Sequence, residues 1–246
     1  MTLWETVRSL TAPIGDLGGH WMLHPETIGD CRSWGYPNGY AYYVVGRGGV
    51  LGDVDADVVT SAFAFFSPSL IRTMWDRGRG VEGPLVSAER YGASCAQFSR
   101  RRLQGFEQAG QLCEMAQAVI DGADVAGLTL FAGWRSQARP SDDAGLAGLC
   151  LHLLRELRGS VHIVAVVAAG MTPRDAVLVD GGAEQAEKFG WTPPFDDVTT
   201  QQSRKAVIED TTDHLLAEIY RASLGQDATA EFAALVAAAA QHVRSL

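Results

Sequence analysis

Two histidines four residues apart open the list of candidate chemistry, in His20-Trp21-Met22-Leu23-His24-Pro25-Glu26. Side chains four apart on a helix share a face, which suits two imidazoles on one metal ion with Glu26 adding an oxygen ligand. Gly18-Gly19 before the pair and Pro25 after it leave barely one helical turn, so a pocket-lining or capping role stands beside the metal reading. The cluster lacks His-Glu-x-x-His, so the zinc-protease motif is absent. Trp21 and Glu26 count as candidate ligand contacts.

A second cluster joins phenols to a guanidinium: Tyr40, Tyr42, Tyr43 and Arg47. An arginine beside phenols can hold a carboxylate or phosphate in an apolar pocket, and Tyr40, Tyr43 and Arg47 are taken as binding candidates. The bland alternative pairs Arg47 structurally with Asp53 or Glu26. The run Gly46 to Gly52 invites a nucleotide-loop reading but contains neither Gly-Lys-Ser/Thr nor Gly-x-Gly-x-x-Gly in register. Asp53, Asp55 and Asp57 follow it, where a phosphate disfavours acids. As a calcium loop the segment has Val58 and Ala64 where Gly and Glu are required. A tight turn feeding a helix with an acidic first turn explains it better.

The third cluster is Leu154-Arg155-Glu156-Leu157-Arg158-Gly159-Ser160-Val161-His162. A buried His162 oriented by Glu156 would serve as a general base, with His24 as the other proton carrier; the alternative is a satisfied core histidine. Glu209 and Asp213 lie one helical turn apart, as a carboxylate pair or an acidic face flanking Lys205. Arg100-Arg101-Arg102 fans around its helix at about 100° per residue and requires no nucleic acid. Neither a Gly-x-Ser-x-Gly elbow nor a kinase signature occurs.

The elements that must position these groups read at helical period. Ile208, Thr211, Leu215, Ile219 and Ala222 recur at three and four residues, as do Phe232, Leu235, Ala239 and Val243. Ser67-Pro68, Thr172-Pro173 and Ser141-Asp142-Asp143 supply start signals. Alternation at period two is scarce, although Tyr40 to Val45 fits a strand as well as a buried helix. The expectation is a mainly α fold: a helical pocket domain over 1–170 and a reduced C-terminal helical lobe over 171–246, or one continuous domain.

Composition narrows the partners. The 246 residues carry 20 basic and 29 acidic side chains, a formal charge of −9, and only two of the basic residues are lysines, Lys188 and Lys205. From Met171 onward twelve acidic residues face six basic ones, where a DNA reader needs a basic stripe. Cys31, Cys95, Cys113 and Cys150 show no metal or disulfide spacing and read as small buried hydrophobes. The apolar run Val161 to Met171 is too short for a bilayer, which needs about 20 residues. A cytoplasmic protein without membrane or nucleic-acid partners is expected.

Three stretches then carry a resemblance: Tyr43 to Gly52 with Phe63-Ala-Phe-Phe66-Ser-Pro68, Leu154 to His162, and Ile208-Glu209-Asp-Thr-Thr212-Asp213 with Gly190-Trp191 upstream. Together they resemble an actinobacterial family, labelled EvbL-like or "helix-turn-helix family", that also occurs in antibiotic gene clusters. The similarity spans about Pro25 to Leu224. The resemblance implies a winged-helix module between Gly190-Trp191 and Ile208, but only 16 residues intervene here, too few for a recognition helix and a wing. Leu157 and Ser160 stand where the family has His and Asp.

Taken together, the sequence predicts a small-molecule-binding protein of specialised metabolism, acting by His162/Glu156 or His24 acid–base chemistry in an aromatic-lined pocket. A ligand-sensing transcriptional regulator and a homodimeric accessory protein, joined through the Ala-rich last helix, are the alternatives. The cofactor is unknown; a metal or haem on His20 and His24 is a variant.

Overall fold

Several helix starts are set by side chains positioned to satisfy orphan backbone groups. Thr2 and Glu5 form a capping box at the start of α1 (Leu3–Gly19), and His24 caps the short α2 (Pro25–Ile28). Asn38 caps α3 (Gly39–Gly48), so the Tyr40 to Val45 segment is helical. Helices α4 (Ala56–Phe63), α5 (Pro68–Arg79, capped by Ser67) and α6 (Pro84–Arg102) follow. Then come α7 (Ala109–Gly122), α8 (Thr129–Arg135) and α9 (Asp143–Ala168, capped by Asp142). The chain ends in α10 (Pro173–Lys188), α11 (Gln202–Ser223) and α12 (Gly225–Arg244). The structure, a computed structural model, describes residues 1–29 and 31–245. These are 74% helical and include no strand, an all-α fold.

The 26-residue α9 is the axis of the molecule. It packs against α1, α6, α7, α8 and α11, while α3 lies on α5 and α6. Gly18 lets α1 approach α9 closely, since a Cβ there would sit 2.4 Å from the Leu151 carbonyl oxygen. The Gly46–Gly52 run has a similar cause. A Cβ at Gly49 would fall 2.0 Å from the Pro84 carbonyl oxygen and one at Gly46 2.6 Å from the Tyr91 side chain, so these two glycines serve close packing.

One apolar core includes Val7, Trp21, Tyr42, Trp134, Leu153, Tyr220 and Phe232, and so unites side chains from both sides of position 170. Helix α12 gives Phe232, Leu235, Val236 and Ala239 to that core. Helix α10 bends at Gly182 (φ 69°) and is associated with two smaller clusters, one around Val166, Met171 and Ile208, the other around Val177, Leu178 and Ala186. All four cysteines are buried, and Cys95, Cys113 and Cys150 carry free thiols. Among the described residues no single helix is long and apolar enough to cross a membrane.

Candidate ligand-binding site

A cavity of about 560 Å³ opens between α1, α3, α4 and α9. Its floor is ionic. Arg47 donates from Nε to Glu156 Oε1 (2.9 Å) and from Nη2 to Glu156 Oε2 (2.8 Å), a two-pronged pair between α3 and α9. Its Nη1 donates to the Tyr43 hydroxyl at 3.0 Å, four residues back on the same helix. The guanidinium also lies 4.6 Å from the Phe63 ring centre. The Glu156 side chain is only 1% exposed. Burial pushes its pKa up, but the charge and hydrogen bonds of Arg47 outweigh that and hold the carboxyl well below its ordinary range. It is ionised at neutral pH.

The opposite wall is aromatic. Phe63, Phe65 and Phe66 leave the end of α4 through a γ-turn at Ala64, where φ is 47° and ψ −63°. There the Phe65 amide donates to the Phe63 carbonyl at 2.6 Å. Phe189 stacks on Phe66 with ring centres 4.4 Å apart. The Phe189 carbonyl accepts from the Ser67 amide at 2.8 Å, and Trp191 Nε1 donates to the Phe65 carbonyl at 2.8 Å. The chain after α10 is thereby fastened to the segment after α4.

His162 faces this cavity from α9 without meeting Glu156. Its Nδ1 is 3.1 Å from Thr212 Oγ1, and its Nε2 is 3.9 Å from Glu209 Oε1. Burial lowers its pKa while Glu209 opposes the shift, so the ring is mainly neutral at pH 7. Glu209 itself accepts from Arg158 Nη2 at 2.7 Å. The Glu156–His162 dyad expected from the sequence is therefore replaced by two separate arrangements, Arg47–Glu156 and His162–Thr212/Glu209. The cause is helical phase: α9 runs unbroken through Gly159, and residues six apart point about 120° away from each other.

Of the other expected site residues, His20 lines the cavity, whereas His24, Glu26, Tyr40 and Trp21 do not. His24 Nδ1 accepts from the Glu26 amide as the cap of α2. Glu26 is turned to Arg101 and Arg102, at 2.9 and 2.8 Å, and so is not a third ligand beside the histidines. The His20 and His24 ring centres are 5.3 Å apart. Among the described residues no group of three or more His, Cys, Asp or Glu side chains is placed to hold a metal ion. Tyr40 is outward, its hydroxyl 3.5 Å from the Lys188 carbonyl, and Trp21 is fully buried in the core. Arg47 takes neither Asp53 nor Glu26 as its partner.

Several cleft residues were not picked out as ligand contacts in the sequence. Arg155 and Arg158 flank Glu156 on the same helix, and their place in the polar stretch was the available signal. Phe63, Phe65 and Phe66 left no chemical signal beyond apolarity. The basic triplet is accounted for by ion pairs, Arg100 with Asp142 and Arg101 and Arg102 with Glu26.

Fold and site define an all-α protein with a partly enclosed, charged and aromatic cleft between its helices. The chain belongs to the helix-turn-helix family, whose model matches residues 7–245, including α10, α11 and the segment between them. No curated protein and no solved structure matches it.

Proposed function

We propose that the protein is a ligand-sensing regulator of the helix-turn-helix family, with the interhelical cleft as its sensor site. The observation that carries this reading is the convergence of sequence-distant segments on one cavity floored by the buried Arg47–Glu156 pair. Ligand pockets combine apolar walls with a few fixed polar groups in this way, over about 300–1,000 Å³. Within the family, the motifs at Tyr43–Gly52, Leu154–His162 and Ile208–Asp213 favour the EvbL-like actinobacterial branch and a setting in specialised metabolism. The acidic C-terminal region offers few cations to phosphates, so any DNA binding through it is weak at physiological salt.

The test uses a variant that fills the cleft while sparing the fold. A Cβ at Gly159 meets nothing within 4 Å, and Gly159 lines the cavity in the middle of α9. Gly159→Leu is expected to fold and to lose the thermal stabilisation that cleft ligands from a metabolite library give the wild type. Anisotropy of a DNA fragment from the gene's own neighbourhood, with and without such a ligand at low and high salt, reads the regulatory output. Ligands that stabilise both proteins equally would refute the cleft as the sensor site. Absence of DNA binding at low salt would remove the regulatory half of the reading.

A second reading, an acid–base enzyme on a small organic substrate, is favoured by one arrangement: His162 at the cleft wall beside Thr212 and Glu209. Turnover of a bound ligand that His162→Gln abolishes without loss of binding would establish it.

A further inference from the structure

A second cavity of about 350 Å³ lies against the first on the α10–α11 side. The two share Phe65, Arg155, Arg158, His162 and Phe189 as lining residues. They are two chambers of one cleft, and the shared residues form its waist, with the Phe65 and His162 ring centres 5.8 Å apart.

Charge along this cleft opposes that of the chain. Four cations line the two chambers (Arg47, Arg155, Arg158 and Lys205) against three carboxylates (Glu156, Asp180 and Glu209), in a protein of net charge −9. Three cations have a carboxylate each: Arg47 has Glu156, Arg158 has Glu209 and Lys205 has Asp180. Arg155 does not. Its contact, at 3.1 Å, is with Glu156 Oε1, an oxygen that Arg47 already holds. The unmatched positive charge therefore sits at the waist, on a side chain one-third exposed to the cleft mouth.

We infer that the cleft takes an organic anion, with a ring-bearing apolar body in the first chamber and an acidic group at the waist between Arg155 and Arg158. This deepens the ligand-sensing reading and rests on it. The phenylalanine wall accepts the flat body, and the acidic group supplies the charge that Arg155 lacks. A planar guanidinium binds a carboxylate, sulfonate or phosphate oxygen pair through two parallel N–H donors, which an ammonium does not reproduce. Arg158 turns from Glu209 to the same group, so occupancy loosens a link between α9 and α11.

Two dyes with one aromatic framework test the inference: 1-anilinonaphthalene-8-sulfonate, an anion, and neutral N-phenyl-1-naphthylamine. Both are titrated by fluorescence against wild type, Arg155→Gln and Gly159→Leu, with each variant's melting temperature confirming a native fold. The expected result is that wild type binds the sulfonate at least about tenfold more tightly, as loss of a charge-assisted hydrogen bond predicts. Arg155→Gln should remove most of that preference and leave the neutral dye's affinity unchanged. Gly159→Leu should block both dyes. Equal binding of the dyes by wild type, with block by Gly159→Leu, overturns the anion inference and spares the cleft as a ligand site. A preference that survives Arg155→Gln overturns the assignment to Arg155. Binding of neither dye, or binding indifferent to Gly159→Leu, overturns the cleft reading and this inference together.

Discussion

Glu156→Gln isolates the energetic role of the cleft floor. The carboxylate is nearly inaccessible to solvent and accepts from Arg47 at 2.9 and 2.8 Å, while the Arg47 side chain is itself only 10% exposed. Neutralising Glu156 leaves the guanidinium buried opposite an amide that cannot return two ionic hydrogen bonds. Breaking one side of a buried pair costs about 3–5 kcal/mol. In a chain of this length each kcal/mol moves the melting temperature by about 2–4 °C, so a fall of about 6–20 °C is expected. The double variant Arg47→Met/Glu156→Leu removes both charges at similar volume and should recover all but about 1 kcal/mol, because no ion is then stranded. Urea midpoints of wild type, Arg47→Met, Glu156→Leu and the double at pH 7 measure the coupling. A loss below about 1 kcal/mol for Glu156→Gln, or additive losses in the double, would refute the view that the pair is desolvated and mutually dependent.

Acid stability should depend on His152, whose ring is enclosed between Trp21 and Trp134 and whose pKa burial lowers from 6.5 to about 4. The unfolded chain then takes up the proton first. The His152 contribution is full above about pH 6.5 and falls by on the order of 3 kcal/mol towards pH 4, and His152→Phe should flatten that slope in pH-dependent urea titrations, leaving the part due to His162. At the γ-turn, Ala64→Gly should raise stability by about 1 kcal/mol by relieving a positive-φ strain; a lower melting temperature would contradict the strain argument. Arg8 bridges α1 to the buried Asp213, so Arg8→Ala should lower the urea midpoint clearly more than Arg72→Ala, which breaks an exposed pair with Asp57. Equal losses in chemical denaturation would show that burial of Asp213 is not what matters.

The all-α fold was legible because its signals are local. Helical spacing of apolar residues and caps such as Ser67, Asp142 and Thr172 act within a few residues of chain. Tyr43, Arg47, Glu156, His162 and His20 were also recognisable, since polar groups set in apolar stretches stand out, and all five line the cleft. Partnership was not legible. Arg47 finds Glu156 at a separation of 109 residues and Arg8 finds Asp213 at 205, distances over which spacing carries no information. Gly159 lies within α9 without breaking it, since a single glycine costs a helix only about 1 kcal/mol and tertiary burial along α9 exceeds that. The glycines after Tyr43 imitate a phosphate loop in composition only, and close contacts with Pro84, Tyr91 and Trp75 account for three of them.

The two sides of the cleft differ in how they are tied to the rest of the chain. Arg155, Glu156, Arg158 and His162 all ride on α9, so their mutual spacing belongs to one rigid element buried against five others. The facing Phe65, Phe66 and Phe189 belong to chain segments between helices, fastened to each other by the Ser67–Phe189 and Trp191–Phe65 hydrogen bonds. Such an architecture separates two evolutionary freedoms. Substitutions in 65–66 and 189–195 can reshape the space offered to a ligand while leaving the α9 charges in place, because the helix that holds them bears the core. Members of one lineage can thus diversify in the bodies they accept while keeping a common taste in head group.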